Sequence, residues 1–187
     1  MSAFLFAMVA SFLAATGARD QLLVATLRAR LGPSPALLAI GVLSAVATAA
    51  IAAWFGSVLS AQLSADAATM FVAVALALTA FECAWPNRPR RIAEPTRSLG
   101  AIAIVLFLRQ LTDASRFLIA AFAAAFASPE LAGIGGAIGG SAAVVTGWVM
   151  GAQLETRLPL RTIRLALAAI LGLLAMLLGL SARGLIG

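Results

Sequence analysis

The sequence predicts an all-α integral membrane protein of six transmembrane helices, arranged as two inverted three-helix repeats. Three observations carry this. Apolar residues make up 63% of the 187-residue chain and charged ones 11%, with mean hydropathy +1.05; a soluble domain has about 45–50% and roughly 25%. Two polar clusters interrupt apolar runs 95 residues apart. Arginines gather in alternate loops, as in a chain that threads a bilayer repeatedly.

Six apolar segments follow one another, at residues 2–26, 35–59, 67–84, 99–127, 131–154 and 163–180. Each is near or above the roughly 20 residues that cross a hydrocarbon core. Long Ala-, Leu-, Gly- and Val-rich runs with short loops select helices; barrel strands would alternate about every second residue. The first segment reads as a retained span, since it lacks a positive N-terminal region and its apolar run resumes at Leu22. Gly32-Pro33-Ser34-Pro35 separates the first two segments and Ser128-Pro129 the fourth and fifth, as turns. Trp54, Trp85 and Trp148 fall near segment ends, as interface anchors do, and Glu82 near the end of the third reads as a headgroup-level or linker-paired acid.

The net charge of +6 rests on arginine alone, for the chain has no lysine and no histidine. Arg28 and Arg30 follow segment one, Arg88, Arg90, Arg91 and Arg97 segment three, and Arg157, Arg161 and Arg164 segment five. The intervening loops carry Asp66 and Glu130, and only the C-terminal Arg183 dissents. Six spans in a cell (inner) membrane with both termini on the non-cytoplasmic side put every arginine-bearing loop in the cytoplasm. The partner implied is the lipid bilayer, not nucleic acid: the Arg-Pro-Arg-Arg run suits anionic headgroups. A lone cysteine, Cys83, offers no disulfide frame and no metal–thiolate cluster. With no phosphate loop and no Ser/His or Cys/His constellation, neither enzymatic activity nor a resident cofactor is expected.

The domain organisation follows: a first repeat at 1–84, a basic cytoplasmic linker at 85–98 and a second repeat at 99–187. Three spans per half make the second half enter the membrane in the opposite sense. Residues 107–120, FLRQLTDASRFLIA, echo residues 12–25, FLAATGARDQLLVA. At the same offset Gly41 maps to Gly136, Ala45 to Gly140, Ala52 to Gly147 and Gly56 to Gly151, a stripe of small residues that lets backbones approach in lipid. Polar groups at mid-span are costly and mark functional sites, and repeats of this kind place a substrate site near the midplane.

The two inserts resemble the signature Glu-x-Gly-Asp-(Lys/Arg)-(Thr/Ser), usually followed by Gln-Leu, of the small two-repeat cation/proton exchangers. That family includes Golgi manganese/calcium exchangers and bacterial manganese exporters, within the lysine-exporter-like superfamily. In the first copy Gly17, Arg19, Gln21 and Leu22 match, while Ala15, Ala18 and Asp20 depart. In the second, Asp113 and Ser115 match, Gln110 stands for the Glu, Thr112 for the Gly, Ala114 for the basic residue and Arg116-Phe117 for the tail. Of four family carboxylates only Asp113 stays in register.

The resemblance implies a site for Mn²⁺ or Ca²⁺, a small inorganic cation carried as substrate and exchanged for protons. Its oxygen donors would be Asp113 and Gln110 as metal ligands, with Gln21, Thr16, Thr112, Ser115 and Asp20 around them. On a continuous helix Asp20 points about 200° away from position 18. Arg19, Arg109 and Arg116 against Asp20 and Asp113 leave the inserts at +1, which disfavours a divalent cation. Two alternatives stay open: an exporter of an anionic or amino-acid-like solute held by arginine, and a non-transporting paralogue in which the charges only hold helices in register.

Overall fold

A computed structural model of the protein describes residues 1–86 and 98–185. These residues form α1 (Ser2–Ala15), α2 (Arg19–Leu31), α3 (Pro35–Ser60), α4 (Ala65–Ala84), α5 (Leu99–Leu111), α6 (Ala114–Ala125), α7 (Pro129–Met150), the short α8 (Gln153–Arg157) and α9 (Leu160–Ser181), with no strand among them. α3, α4, α7 and α9 are each long and apolar enough to cross a membrane, and the bent pair α1–α2 makes a fifth candidate span. At 26 residues, α3 is about 39 Å long, more than the roughly 30 Å of a hydrocarbon core. Serine starts several of these helices: the hydroxyls of Ser34, Ser64 and Ser98 accept from the amides of Leu37, Ala67 and Ala101, satisfying first-turn donors.

Three expected segments change shape. Residues 2–26 are two helices bent by 59°. The second continues to Leu31, so Arg28 and Arg30 lie in its last turn, where cations meet the negative helix end. Residues 99–127 divide into α5 and α6 at Thr112-Asp113. The last segment begins at Leu160, which moves Arg161 and Arg164 from a loop into α9. Of the linker at 85–98, only residues 85, 86 and 98 are described; Arg88, Arg90, Arg91 and Arg97 lie outside the described residues.

The halves of the chain interleave. α3 packs against α5, α6 and α7; α7 packs against α1, α2 and α3; α4 lies along α9 and also touches α6. Glycine sets the closest approaches. A β-carbon on Gly135 would fall on the carbonyl oxygen of Phe4, and one on Gly139 on that of Met8, so α1 and α7 meet backbone to backbone. The stripe read from the sequence faces the other way. Gly136 meets Ile119, Gly147 meets Gln21, and Gly56 meets the Ala120 carbonyl and Ala123.

These contacts also give direction. Gly41 meets Val144, Ala45 lies 3.8 Å from the β-position of Gly140, and Ala53 lies 2.9 Å from that of Gly133. Numbers rise along α3 as they fall along α7, so the two run antiparallel. Ala80 with Gly172 and Ala73 with Gly179, each at 3.8 Å, make α4 and α9 antiparallel too. An apolar core of Ala7, Leu76, Leu118, Phe122 and Leu171 fills the space between α1, α4, α6 and α9. Trp54 and Trp85 are exposed. Trp148 does more than anchor: its Nε1 donates to the Ser34 carbonyl at 3.1 Å, and Arg28 lies over its ring at 5.8 Å.

Gly139→Val forces a side chain onto the Met8 carbonyl and is expected to cost at least about 2 kcal/mol. Gly100→Ala, whose new carbon meets nothing nearer than 4.0 Å, is expected to leave stability unchanged. Thermal unfolding of the two purified variants in detergent checks the contrast.

Candidate functional site

Both polar inserts break their helix, by different chemistry. In the first, Gly17 takes φ +70, a conformation that costs glycine little, and Ala18 is extended ahead of α2. The second has no glycine at the break: Thr112 and Asp113 turn the chain, and the Asp113 Oδ1 accepts from the Ser115 amide at 2.9 Å as the N-cap of α6. A break inside a membrane frees backbone groups, which must find partners in the protein. The Gly17 amide donates to Gln21 Oε1 at 2.7 Å. The Thr16 carbonyl accepts from Arg164 at 3.3 Å, and the Ala114 amide donates to Glu82 Oε2 at 2.9 Å.

Two corresponding side chains then tie each broken helix to the long helix of the other half. Gln21, fully buried, donates through Nε2 to the Ala143 carbonyl of α7 at 2.9 Å. Arg116, 95 positions later and 5% exposed, donates through Nε to the Thr48 hydroxyl of α3 at 2.8 Å. Thr48 and Ala143 are themselves 95 apart. Gly140 makes room for the guanidinium, since a β-carbon there would lie 3.3 Å from Arg116 Nη1. Arg116 also donates to the Ser115 hydroxyl at 3.2 Å and interacts electrostatically with Asp113 and Asp20.

The inserts meet where Arg109 Nη1 reaches the Arg19 carbonyl at 3.4 Å. Beside this contact lies a pocket of about 140 Å³ lined by Arg19, Asp20, Glu82, Arg109, Thr112 and Asp113. Asp20 is 6% exposed, and its buried Oδ1 has no hydrogen-bond partner. The helix break is what brings Asp20 beside Asp113, because the 200° argument assumed one continuous helix. Glu82 joins from α4, so the lining carries three carboxylates and two guanidiniums, a formal −1. The sequence reads it as a headgroup-level acid or one paired with a linker arginine, and gives no sign that its carboxylate accepts from the Ala114 amide.

Of the remaining candidates Thr112 lines the pocket, while Gln110, Thr16, Ser115, Gln21 and Arg116 do not. Gln110 is buried in α5, with Nε2 donating to the Gly41 carbonyl at 3.5 Å and Oε1 without a partner. Thr16 donates to the Phe12 carbonyl and Thr112, on the pocket wall, to that of Leu108. Ser115 and Gln21 are occupied as described. Among the described residues no group of three His, Cys, Asp or Glu side chains is placed to hold a metal ion. Comparison with protein-family models, with curated proteins and with solved structures gave no match.

Arg116→Leu leaves Thr48 and the neighbouring carboxylates without their cation and is expected to destabilise the fold by about 3 kcal/mol. Thr48→Val, which removes one hydrogen bond to a charge, is expected to cost about 1.5 kcal/mol. Unfolding midpoints of the single variants measure both.

Proposed function

We propose that the chain is a multi-pass membrane secondary transporter, built from two inverted three-helix repeats, whose substrate site is the pocket between the two helix breaks. The observation that carries this reading is that each broken helix delivers one carboxylate, Asp20 and Asp113, to the same pocket. The repeat is supported by the antiparallel runs of α3 with α7 and α4 with α9, and by the touching pair Ala45 and Gly140, which occupy equivalent positions. A two-fold relation between oppositely oriented halves brings equivalent positions together at its axis. Paired discontinuous helices are the arrangement in which such transporters hold substrate.

The cargo under this reading is a divalent cation such as Mn²⁺ or Ca²⁺, exported across a cell membrane in exchange for protons. Carboxylate oxygens suit a hard cation and carry protons when poorly solvated. Glu82 favours this reading, since it turns the lining to a net negative charge. Arg19 and Arg109 on the same wall favour a second reading, an anionic or amino-acid-like solute whose carboxylate pairs with guanidinium.

In proteoliposomes with an imposed pH gradient, Mn²⁺ or Ca²⁺ flux is expected to fall at least about tenfold in Asp20→Asn and Asp113→Asn, while Arg109→Ala retains it. Folded protein that moves neither ion at any pH gradient overturns the cation reading. Amino-acid flux lost in Arg109→Ala establishes the second.

A further inference from the structure

A second cavity, of about 340 Å³, shares no lining residue with the polar pocket. It runs inward. Glu155, Arg161 and Thr162 on its wall are exposed, whereas Gly17, Leu22 and Arg164 on the same wall are buried. The charged side chains at the outer end keep that end hydrated. Gly17 is the turn of the first helix break, and Arg19 and Asp20, two and three residues further on, line the polar pocket. The cavity therefore ends on the break that carries the pocket.

What separates the two spaces is thin. Arg164, 3% exposed on the cavity wall, donates through Nη2 to the Glu82 carbonyl at 2.7 Å and through Nη1 to the Thr16 carbonyl at 3.3 Å. Glu82 lines the polar pocket, and Thr16 precedes the break. The stem of Arg164 covers the turn itself, since a β-carbon on Gly17 would lie 3.0 Å from its Cδ. One side chain thus touches the cavity, the break and a residue of the pocket wall. Both of its hydrogen bonds go to backbone carbonyls, acceptors that water can serve in its place.

We infer that this cavity is the vestibule through which the transported solute reaches the polar pocket, and that Arg164 is the partition between them, closed in this structure. The vestibule rests on the transporter reading above, whichever cargo that transporter carries. Solute passes when the start of α9 draws Arg164 away from the Thr16 and Glu82 carbonyls, which joins the hydrated cavity to the pocket.

The test is flux of Mn²⁺, Ca²⁺ or an amino acid, whichever the unmodified protein carries, in proteoliposomes of the full chain with Cys83→Ala, so that an introduced thiol stands alone. Thr162→Cys, on the cavity wall, is expected to lose at least half of its flux when modified with a bulky maleimide and to keep it when the thiol carries only a methylthio group. Ala152→Cys, exposed on the same connection but not on the wall, is expected to keep its flux after either treatment. The partition is read without transport through the native Cys83, which is buried beside Glu82 and within electrostatic reach of Arg164. It is expected to react with a water-soluble maleimide faster in Arg164→Gln than in Arg161→Gln or the wild type, at a temperature where all three remain folded. Thr162→Cys leaves Arg164 in place, so the route is decided even if Arg164→Gln does not fold. Bulky modification of Thr162→Cys without loss of flux, an equal loss in Ala152→Cys, or a Cys83 no faster in folded Arg164→Gln than in Arg161→Gln overturns the inference. Folded protein that carries none of these solutes before modification overturns the transporter reading itself, a result distinct from flux that survives the plug.

Discussion

Breaking a helix inside an apolar fold frees backbone donors and acceptors that lipid cannot satisfy. Four polar side chains of this protein answer that demand. Gln21 serves the Gly17 amide, Arg164 the Thr16 carbonyl, Glu82 the Ala114 amide and Asp113 the Ser115 amide. These side chains come from α2, α9, α4 and the second break itself. Satisfying two short interruptions therefore fixes how several helices sit against one another.

The two breaks use different residues, and the difference decides where charge accumulates. The first break turns at Gly17 and hands its amide to Gln21, which leaves Asp20 with a buried oxygen that has no hydrogen-bond partner. The second break spends one carboxylate oxygen of Asp113 on its own cap and draws Glu82 in from α4. Arg116 follows at the position equivalent to Gln21 and serves the same mechanical end, bonding to the long helix of the opposite half. A cation there balances carboxylates that a glutamine would leave alone.

Much of this was legible in the chain. The 95-residue offset picked out Gly136, Gly140, Gly147 and Gly151, all of which prove to be close-approach positions. The polar inserts coincide with the two helix breaks. The breaks were harder, because Gly17 alone does not stop a membrane helix, and Asp113 reads equally as a cap or as a ligand. The direction of Asp20 was misjudged for that reason. Arg164 was assigned to a loop by its neighbours' charge; its acceptors are carbonyls 148 and 82 residues away, and carbonyls leave no trace in a sequence. The second glycine face, Gly135 and Gly139, was masked because every residue supplies the backbone it touches.

The interleaving of the halves bears on how the molecule is made. α1 finds its closest partner in α7, and Gln21 its acceptor at Ala143, 122 residues later. During synthesis the N-terminal segments emerge first, so Asp20 and Gln21 enter the bilayer long before their partners exist. The early chain must shelter these groups in the translocation machinery, at the interface or against water. Assembly cannot close before α6, α7 and α9 have arrived, so the N-terminal half is not a unit that can be finished and set aside.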